Sequence, residues 1–217
     1  MYPKLIQELI EEFTRFPGIG PRQAARFVFY LLKEDKKQIQ TLVDTIRRLP
    51  EEIGFCKQCY MSVALLVNGS ENICRYCADA KRDQHIIMIV EKEADLQNIE
   101  KTHTFSGVYH VLHGIISPLD SSGPVKLHIK ELLDRVRKLF ADKKQVEIIL
   151  ATNPTTEGDT TALYLERTFS PLKINPHTNL EIGVGVKITR LGRGLTTGSE
   201  LEYSDLETIK NALTNRR

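Results

Sequence analysis

Apolar residues recur every three or four positions along the first 50 residues, which is the spacing of one face of an α-helix. The first such face consists of Leu5, Ile6, Leu9, Ile10 and Phe13. The second, which starts after Pro21, consists of Ala24, Ala25, Phe27, Val28, Leu31 and Leu32. A third covers residues 36–49, and Pro50 should end that helix. The pattern predicts an all-α N-terminal region of three helices.

From residue 85 onward, short apolar runs alternate with helical patterns. Strands are predicted at residues 85–90, 108–112, 146–151 and 184–191. Helices are predicted at residues 93–101, 129–140, 158–169 and 205–213. Strands separated by helices form a mainly parallel sheet that is covered on both faces. The sequence therefore predicts an α/β domain that ends in a C-terminal helix.

Polar residues gather at the carboxyl ends of these predicted strands, where ligands bind in such folds. They are Glu91, His110, His113, the run from Thr152 to Asp159, Arg190 and Arg193. Neither histidine has a matching ligand at helical spacing, so neither indicates a metal site. The two arginines favour contact with a charged partner, and an ordinary salt bridge to Glu202 is the alternative.

The four cysteines of the chain form two Cys-x-x-Cys pairs, Cys56 with Cys59 and Cys74 with Cys77. Two pairs at this spacing offer four thiolates to one tetrahedral Zn²⁺. The polar turn Asn68-Gly69-Ser70 between the pairs suits a small hairpin loop. Two disulfides or a cluster of free thiols are the alternatives. Because four thiolates close the coordination sphere, we expect the Zn²⁺ to be structural.

The segment Phe16-Pro17-Gly18-Ile19-Gly20-Pro21 joins the first two predicted helices through a tight corner. Gly18 and Gly20 would let backbone N–H groups and the start of the second helix approach a phosphate, because no side chain stands in the way. Arg22 and Arg26 follow, one helical turn apart, and would flank the same phosphates. A plain helical corner without a ligand is the alternative, since such turns are common.

Composition and charge narrow the remaining possibilities. The 217 residues are 41% hydrophobic, which is ordinary for a globular protein with one sizeable core. Lys and Arg (30) nearly balance Asp and Glu (28), so nucleic-acid binding has to come from local patches. The apolar runs are too short to cross a bilayer, and residues 1–4 lack the apolar stretch of a signal peptide. We therefore expect a cytoplasmic protein without a membrane partner.

The order of these segments resembles that of the bacterial recombination mediators of the RecR family. The motifs that carry the resemblance are residues 16–21, the four cysteines, residues 89–91, 109–112, 117–120, 151–155, 157–158, 189–191, 193–195 and 201–203. The corresponding segments are a helix-hairpin-helix DNA-binding region at 1–53, a four-cysteine zinc finger at 54–78, a Toprim-like α/β domain at 79–195 and a C-terminal segment at 196–217.

The resemblance also bears on catalysis. Toprim enzymes hold Mg²⁺ with a glutamate at the end of the first strand and an Asp-x-Asp at a later strand end. This chain keeps Glu91 but has Asn153-Pro154-Thr155 at the later position, so we expect no catalysis. Glu157 and Asp159 could be displaced metal ligands, although their place at a predicted helix start favours capping or partner contact. The alternative is a metal-dependent nuclease or a topoisomerase-like enzyme that uses Glu91.

RecR proteins bind DNA, usually as ring-shaped oligomers, and act with RecO and RecF to help load RecA onto single-stranded DNA. The resemblance implies that the hairpin residues named above contact single- and double-stranded DNA. It implies a homo-oligomer, from a dimer to a tetrameric ring, associated with the nucleoid. Glu91 and Glu157 are candidates for partner binding. Residues 173–183 depart from the family pattern and are interpreted as a surface insertion. A zinc-holding adaptor that does not bind DNA is a third possibility.

Overall fold

A computed structural model describes residues 2–65, 72–117, 127–142, 144–172, 185–195, 197–198 and 200–214. The chain divides into two compact units, Met1–Ile53 and Gly54–Arg217. The turn predicted at 68–70 and the insertion predicted at 173–183 lie outside the described residues. No helix in the described part of the chain is long and apolar enough to cross a membrane.

Three helices make up the first unit, as the apolar pattern predicts. They are α1 (Lys4–Thr14), α2 (Pro21–Leu31) and α3 (Lys36–Glu52). Ala24 and Val28 of α2 are buried, and the Phe13 ring meets the Phe27 ring edge-on at a centroid distance of 5.8 Å. Pro21 occupies the first turn of α2, where its missing N–H removes no hydrogen bond from the helix. The packing of α1 on α2 therefore fixes the corner between them.

The third helix is longer than the sequence indicates. Helix α3 continues past Pro50 to Glu52, so the prediction that this proline ends the helix was wrong. A proline costs a helix one N–H donor, but the N–H of Ile53 still donates to the carbonyl of Leu49. Arg48 also donates to Glu52 across the proline, with Nε 2.6 Å from Oε1. These contacts hold the last turn in helical form.

A parallel four-stranded sheet forms the centre of the second unit. Its strands are β3 (Asp83–Val90), β4 (Gly107–Val111), β5 (Gln145–Ala151) and β6 (Gly185–Arg190), in the order β4-β3-β5-β6. The helices are α5 (Glu93–Glu100), α6 (Ile129–Leu139), α7 (Thr156–Phe169) and α8 (Leu206–Thr214). Every strand pair in this sheet is parallel, so the predicted α/β class is confirmed.

The cysteine region precedes this sheet along the chain. It contains two short paired strands, β1 (Ile53–Phe55) and β2 (Ser62–Ala64), followed by the four-residue helix α4 (Arg75–Ala78). Gly54 packs closely here, because a Cβ at that position would lie 2.5 Å from Cδ2 of Leu65. A side chain at Gly54 would therefore require the Leu65 side chain to move.

Successive side chains along a strand point to opposite faces of the sheet, so the core of the second unit has two layers. Ile87 and Ile89 face one way and join a cluster with buried residues of α6 and α7. Met88 and Val90 face the other way and join Leu96 of α5 together with the four cysteines. The cysteine region thus covers part of the second face of the sheet, and both faces are buried.

The chain leaves the two central strands in opposite directions. After β3 it crosses through α5 to β4 on one side, and after β5 it crosses through α7 to β6 on the other. In such sheets, ligands bind at the carboxyl ends of the strands where the direction changes. Those ends carry Glu91 after β3 and Thr152 and Asn153 after β5.

Candidate functional site

The four cysteine sulfurs converge on one point. Their Sγ atoms all lie within 4.8 Å of one another, and the Cys59 and Cys74 sulfurs are 3.4 Å apart. A tetrahedral ion with metal–sulfur bonds of about 2.3 Å needs sulfurs about 3.8 Å apart. All four side chains are buried. The donor set and its spacing therefore fit a tetrahedral metal ion with four thiolate ligands.

Local backbone geometry brings the sulfurs together. In the first pair, the N–H of Tyr60 donates to the carbonyl of Cys56 at 3.0 Å, and Tyr60 itself has a left-handed backbone with φ 64°. In the second pair, Cys74 lies at the start of α4 and its sulfur accepts the N–H of Cys77 at 3.4 Å. The N–H of Cys74 donates to the sulfur of Cys56 at 3.3 Å. These N–H groups favour thiolates over thiols.

Hydrogen bonds among the cysteines shift the pKa values of their thiols in different directions. Hydrogen bonding with Cys59 lowers the pKa of Cys56, and the same contact raises the pKa of Cys59. A bound cation would displace the remaining protons. Among the described residues, no second group of three or more His, Cys, Asp and Glu side chains could hold a metal ion.

The corner between α1 and α2 exposes backbone donors. Gly18 has φ +76°, a left-handed conformation that favours glycine, whereas Gly20 has an ordinary φ of −86°. Gly20 is the residue before α2 and has no side chain to cap the helix. In the described part of the chain, the N–H groups of Arg22 and Gln23 have no hydrogen-bond partner. The start of α2 therefore presents open N–H donors and the positive end of the helix dipole.

The two arginines after the corner are exposed. Arg26 donates to the Gln23 side chain at 3.3 Å, and neither Arg22 nor Arg26 forms an ion pair with a described residue. Both lie on α2 beside the open N–H groups, as the sequence places them. Their charges are therefore available to an anionic partner.

Glu91, directly after β3, is buried, with only 7% of the residue exposed. Its Oε1 accepts the backbone N–H of Asn153 at 2.7 Å, and its Oε2 accepts the Nδ2–H of Asn153 at 2.5 Å. The carboxylate is engaged in linking the ends of β3 and β5. Its role in partner binding stays a prediction.

The start of α7 brings together other residues from the predicted polar run. The helix is capped by Thr155, whose Oγ1 accepts the N–H of Gly158 at 3.1 Å. Glu157 lies in the first turn and is half-buried. Gly158 has no room for a side chain, because a Cβ there would lie 2.1 Å from the carbonyl oxygen of Asn153. The predicted capping by carboxylates is thus performed by a hydroxyl group.

Asp159 is the acid that pairs with Arg190, the last residue of β6, and with Arg193, which follows the strand. Arg190 Nη2 lies 2.6 Å from Asp159 Oδ1, and Arg193 also donates to both carboxylate oxygens. Hydrogen bonding from Arg193 lowers the pKa of Asp159. The sequence had suggested Glu202 as the partner acid, whereas the structure brings Asp159 to this position. The ion pairs tie the start of α7 to the segment after β6.

A cleft of about 1020 Å³ opens beside these residues. Its lining includes Asn153, Asp159 and Arg190, together with Asp95 of α5 and Thr152. Asp95 Oδ2 and Thr152 Oγ1 are buried without a hydrogen-bond partner among the described residues. The cleft lies at the carboxyl ends of β5 and β6, where the fold is expected to bind ligands.

The histidines form structural contacts. His110 is fully buried, its Nε2 donates to the carbonyl of His128 at 2.8 Å, and burial lowers its pKa to about 3. His113 Nε2 donates to the carbonyl of Tyr60 at 2.5 Å, and the Tyr60 ring stacks on His128 at 3.8 Å. Sequence reasoning missed Tyr60, His128 and Arg135 as contacts of the cysteine region. Only the position of Tyr60, next to Cys59, could have signalled such a role.

Comparison with known proteins gives a consistent result. A family model described as "RecR, helix-hairpin-helix" matches residues 6–49, and a model of the Toprim domain matches residues 85–191. A protein of Cutibacterium acnes named Recombination protein RecR is 41% identical over 216 residues, which cover 100% of this chain and 96% of that protein.

Proteins of the same name from two other bacteria are equally similar. The one from Acidothermus cellulolyticus is 43% identical over 218 residues, covering 100% of this chain and 98% of that protein. The one from Chloroflexus aggregans is 42% identical over 212 residues, covering 98% and 93%. With this identity over nearly the full length of both chains, the protein belongs to the RecR family of recombination proteins.

Proposed function

We propose that this chain is a non-catalytic DNA-binding mediator of recombinational repair. The observation that carries the proposal is the corner at Gly18 and Gly20, where the first N–H groups of α2, beside Arg22 and Arg26, have no partner among the described residues. Open amides at a helix start bind phosphate, and arginines add charge without reading base sequence. DNA of either strandedness presents such phosphates.

The carboxyl end of the sheet supports a role without catalysis. Phosphoryl transfer in Toprim enzymes needs several carboxylates that hold Mg²⁺. In this chain both oxygens of Glu91 accept hydrogen bonds from Asn153, and Asp159 is paired with two arginines. These contacts compete with coordination of a hard cation by either acid. The surface around Glu91 and Glu157 is the proposed contact for partner proteins.

The metal in the cysteine cluster is proposed to be Zn²⁺ with a structural role. Cys56, Cys59, Cys74 and Cys77 would hold it, and four thiolates leave no position for water or substrate. When bound, the ion would supply a positive charge, and its bonds to the four sulfurs would cross-link the two Cys-x-x-Cys turns. The N–H of Val111 donates to the carbonyl of Cys59 at 2.8 Å, so the cross-linked cluster is tied to β4.

Family membership extends the proposal to partners. The chain would act in the cytoplasm, close to the nucleoid, with RecO and RecF, and would help RecA replace single-strand-binding protein on DNA. It would do so as a homo-oligomer, from a dimer to a tetrameric ring. The RecA-dependent ATPase activity on DNA coated with single-strand-binding protein measures this role. The chain should raise that activity only when RecO or RecF is present.

A direct test separates the mediator from a Toprim-type nuclease. Purified protein is incubated with labelled single- and double-stranded DNA in the presence of Mg²⁺ or Mn²⁺. We expect retarded DNA of unchanged length. Cleavage that disappears in Glu91→Gln would instead support the nuclease, and the absence of salt-sensitive DNA binding would support an adaptor that holds zinc only.

A further inference from the structure

A half-buried arginine, Arg135, lies beside the cysteine cluster. Arg135 on α6 donates from Nη1 to the carbonyl of Tyr109 on β4 at 2.8 Å and to the carbonyl of Gln58 at 3.2 Å. Gln58 lies between Cys56 and Cys59 in the chain. Arg135 Nη2 is buried and has no hydrogen-bond partner among the described residues. One side chain therefore links the first cysteine pair to the sheet and retains spare donors.

Arg135 also lies near the second cysteine pair. Arg135 and Cys77 line the same cavity of about 690 Å³. His110 adds no second cation here, because burial, followed by the charge of Arg135, lowers its pKa to about 3. Arg135 forms no ion pair with an acid in the described ranges.

The net charge of the metal-bound cluster explains why a positively charged side chain would be needed beside it. Four thiolates around a divalent ion carry a net charge of minus two. Burying uncompensated charge is unfavourable unless it is paired or hydrogen-bonded. An arginine stays protonated under all ordinary conditions, so it supplies a permanent positive charge. Within unit Gly54–Arg217, Arg135 is placed to provide it.

We propose that Arg135 is a positioning residue for the metal centre: its charge stabilises the metal-bound tetrathiolate, and its two carbonyl contacts hold the first cysteine pair against β4. The inference rests on the proposed Zn²⁺ site. Outer partners of metal ligands affect metal affinity by about 10- to 100-fold, which is the expected contribution of Arg135.

The experiment compares three variants of the full chain. Arg135→Gln removes the charge, and Arg135→Lys keeps the charge but loses the fork of donors. Arg137→Gln is the matched control, because Arg137 lies on the same helix but is exposed and pairs only with Asp134, at 3.6 Å, in the described structure. Each zinc-loaded protein is titrated with a chromogenic chelator, and the zinc that stays bound at equilibrium is measured.

We expect Arg135→Gln to lose about 10- to 100-fold in zinc affinity, Arg135→Lys to lose less, and Arg137→Gln to match the wild type. Unfolding of the Zn²⁺-saturated proteins is the second readout. If Arg135 had a purely structural role, its replacement would lower stability without changing zinc affinity. Unchanged affinity in Arg135→Gln, or an equal loss in Arg137→Gln, would overturn the proposal.

Two further outcomes are distinguishable. If Arg135→Gln does not fold, Arg135→Lys decides: zinc affinity within about tenfold of the wild type supports the charge effect, and a larger loss overturns it. If the wild-type protein itself binds no zinc, the proposed Zn²⁺ site fails first, and the role of Arg135 fails with it.

Discussion

Replacing Glu91 with alanine should destabilise the second unit strongly. The carboxylate accepts two hydrogen bonds from Asn153, one from the backbone and one from the side chain, and only 7% of Glu91 is exposed. Alanine leaves both donors without an acceptor. An unsatisfied buried donor costs about 1–3 kcal/mol, so Glu91→Ala, which leaves two of them, should lower the free energy of unfolding by about 2–6 kcal/mol.

Glutamine at the same position should be tolerated much better. Its carbonyl can still accept the backbone N–H of Asn153, and the Asn153 amide can turn over so that its own oxygen accepts from the glutamine. We expect Glu91→Gln to cost less than about 2 kcal/mol. Glu157→Ala is the control, because its contribution as an acid in the first turn of α7 is about 0.3–1 kcal/mol.

The assay is urea unfolding of the zinc-saturated proteins, followed by circular dichroism. The ranking of the unfolding midpoints should be wild type, then Glu157→Ala and Glu91→Gln, then Glu91→Ala, with similar slopes in denaturant. Glu91→Ala as stable as the wild type would show that the carboxylate does not link β3 to β5. Glu91→Gln as unstable as the alanine variant would show that the negative charge, and not the hydrogen bonding, matters.

Three other expectations concern the corner, a histidine and the cysteines. Gly18→Ala should lower the free energy of unfolding by about 1–2 kcal/mol, because φ is +76°, whereas Gly20→Ala, with no atom within 4 Å of the added carbon, should lower it by less than about 1 kcal/mol. His110 has a pKa of about 3 in the folded protein and stays neutral there. In the unfolded chain it binds a proton below its usual pKa near 6.5. The free energy of unfolding should therefore fall as the pH drops from about 6.5 towards 3. Between pH 7.5 and 5.0 this loss is about 2 kcal/mol, and His110→Gln, measured by the same unfolding, should lack it; equal losses in both proteins would contradict the assignment. Cys56→Ala should bind less than one zinc per chain by elemental analysis and unfold at a lower temperature, and full zinc content would refute the four-thiolate site.

The sequence predicts those features that depend on local spacing. The helices α1 and α2 follow from apolar residues one turn apart, and the parallel sheet follows from strands separated by helices. The cysteine cluster follows from two short repeats of fixed spacing. The resemblance to the RecR family is confirmed by full-length relatives. Each of these signals is contained in a short stretch of chain.

The features that the sequence does not predict join residues far apart in the chain. Glu91 meets Asn153 across 62 positions, Arg190 meets Asp159 across 31, and Arg135 meets Gln58 across 77. Such contacts depend on strand order and helix placement, which periodicity does not encode. The extension of α3 past Pro50 is a local exception, since it depends on how the last turn compensates for one missing donor.

The salt dependence of DNA binding tests the central claim most directly. The affinity for single-stranded DNA is measured from about 50 to 200 mM salt for the wild type, for Arg22→Gln with Arg26→Gln, and for a control pair, Arg47→Gln with Arg48→Gln on α3. If Arg22 and Arg26 each neutralise one phosphate, the slope of log affinity against log salt should become shallower by about 1.4 in the first variant. The control pair should keep the wild-type slope. An unchanged slope in the Arg22 and Arg26 variant, or an equal change in the control, would contradict phosphate binding at the α1–α2 corner.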